Sequence, residues 1–254
     1  MALHFHQFAY RSDNYGVLIH EDETGETACI DAGDAQATFQ ALDEKGWKLS
    51  ELWITHHHAD HTSHIGEIIE KTGAHVIGPD YGSKIAGVNQ AIKEGDIFEF
   101  AGHKITPIHT PGHTMDMLNY YVEDGNVLFS GDTLFVMGCG RLFEGSSEVM
   151  WQSLQKLMGL PPETMIYCAH EYTIANAAFA LSVDPKNEDL QNRSELVTAI
   201  RAADQSTVPT MLSIELATNP FLRIGNEKIR EHLGMVDASD TEVFTEIRKR
   251  KDNF

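Results

Sequence analysis

Cysteine is scarce in this chain of 254 residues: there are three, Cys29, Cys139 and Cys168, odd in number and far apart. No two have the spacing of a disulfide framework or of a C-x-x-C sulfur metal site, which fits a reducing compartment and three structural thiols. Cys139, inside a glycine-rich loop, is the least settled of them. Long apolar runs are missing as well, and none approaches the roughly 18 residues that a membrane span requires. The opening residues, MALHFHQFAY, have neither the basic and apolar regions of a secretory signal nor the Arg/Ser-rich character of a presequence, so a cytoplasmic protein is expected. Positive charge is in short supply: 19 Lys and Arg stand against 38 Asp and Glu, a formal net charge of −19. That balance disfavours nucleic acid and anionic membrane surfaces as partners, and it would repel an anionic small molecule unless cations are gathered locally. Four are gathered, at Arg248, Lys249, Arg250 and Lys251. With 42% hydrophobic and 9% aromatic residues the chain has enough apolar material for a real core. Its length fits one large domain, or one medium and one small.

Up to about Cys168 the pattern is β-rich. Tyr15 to Ile19, Thr27 to Ile30, Ala74 to Ile77, Ile97 to Phe100 and Lys104 to His109 read as strands, and Glu123-Asp124-Gly125 joins two more, Met117 to Val122 and Asn126 to Ser130, as a hairpin. Ala35 to Glu44 reads as a helix, as does Ser63 to Lys71, whose Ile65, Ile68 and Ile69 form a core-facing stripe stopped by Gly73. Helix Glu148 to Met158 and strand Met165 to Cys168 follow. Beyond His170 the texture turns helical: Tyr172 to Leu181, Glu188 to Ala203, Glu227 to Leu233, and Thr241 to Lys251 with a capping box at Ser239 and Glu242. Ser206 to Arg223, with Pro209 and Asn219-Pro220, reads as irregular. The expected division is a β-rich domain of residues 1–171 and a small helical domain of residues 172–254. The chain contains no internal repeat and no low-complexity segment.

The stretch THHHADHTSH, Thr55 to His64, carries most of the chemistry. It follows the apolar run Leu52, Trp53, Ile54. If the strand continues, His56, His58 and Asp60 start from one face and His57 from the other, and His61 swings in where the chain turns toward a helix. Imidazoles and a carboxylate this close make a poor core and a good divalent-metal site; there are too many for one open catalytic ion, which suggests two. Three more metal-type residues lie where strands end: His113 in Thr110-Pro111-Gly112-His113-Thr114, Asp132 in Ser130-Gly131-Asp132-Thr133, and His170 in Ala169-His170-Glu171-Tyr172. Gly112 and Gly131 let the backbone turn sharply just before a ligand. Any one of these histidines taken alone reads as a surface or core residue; the whole set, in order, reads as ligands. His4, His6, His20, His57, His64, His75, His103, His109 and His232 read as structural or exposed. Asp31, at the end of its strand, is either an acceptor for a ligand histidine N–H or an acidic turn residue.

In order, HxHxDH, PGHT, SGDT and AHEYT are similar to the metal motifs of the metallo-β-lactamase superfamily, and the whole chain most resembles its glyoxalase II (hydroxyacylglutathione hydrolase) family. That resemblance extends to Gly138-Cys139-Gly140-Arg141, Thr218-Asn219-Pro220-Phe221 and the tail from Arg248 to Phe254. It implies an α/β fold, a four-layer αββα sandwich followed by a small C-terminal helical domain. It also implies two divalent ions per chain, Zn²⁺ first with Fe²⁺ or Mn²⁺ as alternatives. His56, His58 and His113 would hold one ion, Asp60, His61 and His170 the other, and Asp132 would bridge them. A bridging hydroxide would be the nucleophile, with Asp60 and Asp132 as the catalytic carboxylates.

The implied activity is hydrolysis of S-(2-hydroxyacyl)glutathione, S-D-lactoylglutathione above all, in methylglyoxal detoxification, by a cytoplasmic monomer. A thiol with a pKa near 8.5 leaves as thiolate without a general acid, and none stands out here. Glutathione carries two carboxylates, for which the resemblance supplies Arg141, Tyr172, Arg248 and Lys251. Phe143 stands where some family members have Tyr, so one hydroxyl contact is expected to be missing. Arg248 and Lys251, three apart, are neighbours on one helical face; taken alone they read as a solvated helix end. The rival readings are a lactonase or β-lactamase, which would not need the helical domain and basic tail; a persulfide dioxygenase, which would use one iron; and a metal- or glutathione-binding module without activity.

Overall fold

The computed structural model describes residues 2–82 and 84–254. By internal packing the chain forms two compact units, residues 1–109 with 114–131, and residues 110–113 with 132–254.

The first unit holds β1 (Leu3–Tyr10), β2 (Asn14–Glu21), β3 (Thr27–Ile30), α1 (Ala35–Lys45), β4 (Glu51–Trp53), α2 (Ala59–Thr62), α3 (Ile65–Thr72), β5 (His75–Pro79), β6 (Gln90–Ile92), β7 (Phe98–Phe100), β8 (His103–His109), β9 (Leu118–Val122) and β10 (Val127–Gly131). Strands β1 to β6 lie in chain order in one sheet, antiparallel through β3 and parallel from β3 onward. Parallel neighbours need crossovers, and α1 and α3 provide two of them. Antiparallel strands in the order β7-β8-β9-β10 make a second sheet.

Alternation along β4 explains the layering, because successive side chains point to opposite faces. Leu52 and Ile54 join Leu18, Cys29 and Val76 against Ala41 and Leu42 of α1 and Ile65 and Ile68 of α3. Trp53 turns the other way, edge-on to Phe98 and Phe100 with centroids 5.3 Å apart, and 5.6 Å from Tyr120. The Tyr120 hydroxyl donates to the Ile54 carbonyl at 2.7 Å, and Phe5 meets Phe129 at 6.2 Å. Helices, first sheet and second sheet are therefore three successive layers within this unit. Helix limits follow capping chemistry: Asp34 accepts from the Ala37 N–H at the start of α1, and Gly46 and Gly73 close α1 and α3 in the left-handed conformation.

The second unit comprises β11 (Leu134–Phe135), β12 (Gly138–Cys139), α4 (Ser147–Met158), β13 (Met165–Cys168), α5 (Thr173–Val183), α6 (Glu188–Ala202), β14 (Thr210–Met211), α7 (Leu212–Thr218), α8 (Glu227–Leu233) and α9 (Asp240–Asp252). Phe179, Phe221, Phe244 and Trp151 form a chain of ring contacts at 5.6 to 6.3 Å. Fully buried Asn219 donates to the carbonyls of Phe135 and Gly138, which ties the segment after α7 to the β11–β12 hairpin. The expected capping box of α9 is present at Ser239 and Glu242.

Three expectations need correction. Strand β1 has no counterpart in the sequence reading. Ser206 to Arg223 is not wholly irregular: it contains β14, paired with β13, and α7, which buries Leu212, Glu215 and Thr218. The strand before the histidine cluster ends at Trp53, so a shared strand face does not bring His56, His58 and Asp60 together. His56 to His58 lie in a loop, and Asp60 and His61 ride the single turn of α2. All three cysteines are free and buried, and burial raises each thiol's pKa, that of Cys139 to about 11. Among the described residues no helix is long and apolar enough to cross a membrane.

Candidate metal centre

A loop can present several donors at one point only if its backbone is pinned, and here buried Asp31 is the pin. Its carboxylate accepts the Thr55 N–H at 2.8 Å, the Thr55 hydroxyl at 3.0 Å and His61 Nδ1 at 2.7 Å. Asp31 sits at φ 62°, a left-handed conformation that Asp tolerates better than most residues. Of the two sequence readings of Asp31, this geometry matches the acceptor for a histidine N–H.

Hydrogen-bond partners assign the tautomers of three histidines. A carboxylate only accepts, so His61 carries its proton on Nδ1 and its Nε2 keeps a lone pair. The carbonyl of Arg141 accepts from His113 Nδ1 at 2.9 Å, with the same result. The Thr55 hydroxyl gives its proton to Asp31 and so accepts from His56 Nδ1 at 3.0 Å. Nε2 of His56, Nε2 of His61 and Oδ1 of Asp132 are shielded from solvent. Burying such atoms is costly unless something else takes their lone pairs.

Separations among these atoms point to a cation. Asp132 Oδ2 is 3.3 Å from His113 Nε2, Asp132 Oδ1 is 3.4 Å from His170 Nε2, and Asp60 Oδ2 is 3.4 Å from His61 Nε2. These are long for hydrogen bonds between such groups. Two ligands of one tetrahedral ion, each bound at about 2.0–2.2 Å, stand roughly 3.3–3.6 Å apart. Among the described residues, candidate donors are thus close together within each unit: Asp60 and His61 in the first, and His113, Asp132 and His170 in the second. An all-nitrogen and oxygen donor set suits Zn²⁺, Fe²⁺ or Mn²⁺.

The glycines before His113 and Asp132 turn the backbone as expected: Gly112 is at φ 149° and Gly131 at φ 47°. Gly140 has a different function. A Cβ there would stand 2.0 Å from the Asp132 carbonyl oxygen, so the glycine-rich loop packs directly on the main chain of Asp132.

The remaining histidines have other partners. His57 Nδ1 lies 2.9 Å from Asp116, His64 Nδ1 2.8 Å from the Gly33 carbonyl, and His109 stacks on Tyr81 at 3.5 Å. Two residues near Asp60 escaped the sequence reading. Asn14 donates through Nδ2 to Asp60 Oδ2 at 3.1 Å, and Tyr10 through its hydroxyl to the Asp60 carbonyl at 3.1 Å. They belong to β1 and β2, and only the β1–β2 pairing reveals their proximity.

The expected substrate contacts differ in exposure. Phe143 is 60% exposed with its ring 5.1 Å from His113, and Tyr172, 39% exposed, stacks flat on His170 at 4.8 Å. The Arg141 side chain is exposed, with Nε 3.6 Å from Asp252 Oδ1. Arg248 is only 6% exposed. Its Nη1 donates to the Cys139 carbonyl at 3.0 Å, and Nε and Nη2 donate to Asp252 Oδ1 at 3.0 and 2.7 Å. Lys251 is half-buried, donates to the Ala175 carbonyl at 3.0 Å and lies over the Phe179 ring at 5.2 Å. Burial first, and then the charge of Arg248, lower the pKa of its ammonium from 10.5 to about 8. Asp252, one helical turn beyond Arg248, went unnoticed in the sequence, although the i,i+4 spacing of an acid and a base was there to be read.

Comparison with known proteins agrees with this layout. Residues 14–170 match the model of the metallo-beta-lactamase superfamily, and residues 171–254 match that of the hydroxyacylglutathione hydrolase C-terminus. The chain is 49% identical over 254 residues to a hydroxyacylglutathione hydrolase of Rhizobium meliloti (strain 1021), covering 100% of this chain and 99% of that one. It is also 49% identical over 253 residues to the hydroxyacylglutathione hydrolase of Brucella ovis, covering 99% of this chain and 98% of the relative. Among solved structures, ETHE1 from Myxococcus xanthus matches with a TM-score of 0.70 and 25% identity, over 98% of this chain and 90% of that one. BLEG-1 B3 metallo-beta-lactamase, at 20% identity and a TM-score of 0.65 over 86% of this chain and 99% of that one, shares the fold.

Proposed function

This chain belongs to the hydroxyacylglutathione hydrolase family of the metallo-β-lactamase superfamily, and from that membership we propose that it hydrolyses S-(2-hydroxyacyl)glutathione thioesters, S-D-lactoylglutathione foremost, to glutathione and the hydroxy acid. In this reading His56, His58 and His113 hold one divalent ion, Asp60, His61 and His170 hold a second, and Asp132 serves both. The observation that carries it is the carboxylate of Asp132, whose two oxygens face two different histidines at 3.3 and 3.4 Å, an arrangement that would suit a carboxylate shared by two ions. We take Zn²⁺ as the first choice of metal, with Fe²⁺ and Mn²⁺ compatible with the same donors. The pair of ions, when bound, supplies water deprotonated near neutral pH and an electrophile for the thioester carbonyl.

The chain's own residues do the rest. Asp31 and the Arg141 carbonyl accept from Nδ1 of His61 and His113, so in the neutral form of each ring the lone pair sits on Nε2, the nitrogen offered to the ion. Phe143 and Tyr172 present exposed rings beside His113 and His170, apolar walls for an acyl group and a cysteinyl sulfur. A thiolate departs without a proton, so no side-chain acid is required. Residues 1–171 serve as the catalytic domain, and residues 172–254 with Arg141 gather the cations for the carboxylates of glutathione. The reading includes a cytoplasmic monomer acting in methylglyoxal detoxification, in keeping with the charge of −19 and the free buried cysteines.

The test compares metal-loaded protein on S-D-lactoylglutathione, a homoserine lactone and a cephalosporin. A kcat/KM highest for the thioester supports the reading, and a preference for either ring overturns it. Oxygen consumption with glutathione persulfide would instead support the dioxygenase alternative, and metal analysis on the same samples decides the ion.

A further inference from the structure

A carboxylate ligand on a single helical turn has little to hold its rotamer. Asp60 is such a ligand: α2 spans four residues, lacks a side-chain N-cap bond, and leaves the Asp60 side chain 29% exposed. Two neighbours grip its main chain. Tyr10 donates to the Asp60 carbonyl at 3.1 Å, and Arg11 Nη2 donates to the Ala59 carbonyl at 3.4 Å and the Gly33 carbonyl at 3.2 Å. Those bonds fix where the turn sits and act on main-chain carbonyls, not on the carboxylate.

Asn14 reaches the carboxylate itself. It is 3% exposed, at the start of β2, and its Nδ2 lies 3.1 Å from Asp60 Oδ2. A carboxylate accepts only, so the amide must present its nitrogen there, and a buried amide on a paired strand has one orientation to offer. The oxygen it holds is the one that stands 3.4 Å from His61 Nε2, the spacing of two ligands on one ion.

We propose that Asn14 is a positioning residue for the second ion, selecting the Asp60 rotamer in which Oδ2 faces the donor nitrogen of His61. The inference rests on the two-ion reading above. Asn14 acts on one ion of the pair and not the other, because Asp60 is a ligand of one only. An oxygen that keeps one lone pair on an amide N–H and turns the other to a cation is also fixed in direction, so the site is formed before the ion arrives.

The test uses the full chain loaded with Zn²⁺ and titrated with a chelator, with metal per chain as the readout and no substrate present. Wild type is expected to hold two ions. In Asn14→Ala and in Asn14→Leu, which keeps the branching and the number of side-chain heavy atoms and removes the donor, one ion per chain should leave at a chelator concentration about 10-fold lower or more, the other at the wild-type concentration. Tyr10→Phe, which loosens the main-chain grip alone, should follow the wild-type curve. Variants that match wild type overturn the inference. So do variants that lose both ions together, a Tyr10→Phe shift equal to that of Asn14→Ala, or failure of both Asn14 variants to fold, each of which assigns Asn14 to the framework. A wild type that holds a single ion refutes the two-ion reading and the inference with it, whereas normal variants beside a two-ion wild type refute the inference alone.

Discussion

Replacing Asp31 with Asn tests whether the tautomer argument is the right account of this centre. The substitution keeps the shape and, at φ 62°, a residue type that accepts the left-handed conformation, so the backbone has no new reason to move. What changes is the number of acceptors. Asp31 receives the Thr55 N–H on Oδ1 and His61 Nδ1 on Oδ2, at 2.8 and 2.7 Å. An amide has one oxygen for the two of them. If the oxygen faces Thr55, the NH₂ faces His61, whose proton must move to Nε2 and block the nitrogen that should meet the ion. If the oxygen faces His61, the NH₂ confronts the Thr55 N–H, and a buried donor is stranded. Hydrogen bonds to charged groups contribute about 1.5–3 kcal/mol, and a stranded donor costs about 1–3 kcal/mol. The first outcome therefore weakens one ion by roughly 10- to 150-fold, at about 1.4 kcal/mol per factor of ten. The second lowers the melting temperature by about 2–4 °C for each kcal/mol in a chain of this size. Chelator competition and melting of the metal-free protein, measured together, separate the two. An Asp31→Asn variant with wild-type ion retention and unchanged melting would show that Asp31 pins nothing, and the assignment of Nε2 as the donor of His61 would lose its basis.

Two further outcomes follow from the same geometry. Gly140→Ala puts a methyl group 2.0 Å from the Asp132 carbonyl oxygen, which is backbone and cannot swing aside; we expect a loss of about 1–3 kcal/mol in stability and a fall in bound metal, and a fully loaded, normally stable variant would contradict the packing. Lys251→Met should raise KM for the glutathione thioester with little change in kcat, and should also remove the pH dependence of KM that wild type shows above about pH 8, where the ammonium loses its proton. The stability sign is opposite. With a folded pKa of about 8 against 10.5, the unfolded chain binds more protons between those values, so this group's penalty on folding is complete below pH 8 and fades as pH rises toward 10.5. The Met variant should therefore melt above wild type at pH 7, with the gap closing by pH 10.5, and a variant that melts below wild type at both pH values would overturn the assignment.

How legible this centre was in the sequence depends on how each residue is held. His56, His58, Asp60 and His61 lie within six residues, and His113, Asp132 and His170 each follow a strand that its own pattern identifies, so the candidate ligand set can be proposed from the chain alone. The reason given for the cluster was wrong in one respect: β4 stops at Trp53, and a pinned loop and a single turn of helix do what an extended strand was expected to do. The residues that do the pinning were harder to read. Asp31 was visible as one of two possibilities because it ends a strand. Asn14 was not visible at all, since it meets Asp60 only through the pairing of β1 with β2, and β1 (LHFHQFAY) alternates too weakly to announce itself. The segment from Ser206 to Arg223 was obscured for a related reason: Glu215 and Asn219 look like surface residues in the sequence, yet both are fully buried and saturated with hydrogen bonds.

The tail shows that the presence of a cation and its availability are separate facts. Arg248 and Lys251 share one face of α9, as their spacing requires, and both turn inward. Arg248 is nonetheless sealed between the Cys139 carbonyl, the Phe221 ring and Asp252, while Lys251 keeps a partly open ammonium. Asp252 Oδ1 is shared by Arg248 and, at 3.6 Å, by Arg141, so one carboxylate spans the glycine-rich loop and the last helix. Under the proposed function, the more exposed Arg141 and Lys251 are the cations expected to meet an incoming carboxylate first. The charge of Arg248 is spent mainly on holding the main chain at Cys139, two residues before Arg141 and next to the Gly140 that packs on Asp132. A cation that anchors the loop carrying another cation affects binding when removed, just as a direct contact would. The two roles differ in one respect: loss of the anchor also disturbs Asp132 and with it metal retention, whereas loss of a direct contact leaves the metal untouched.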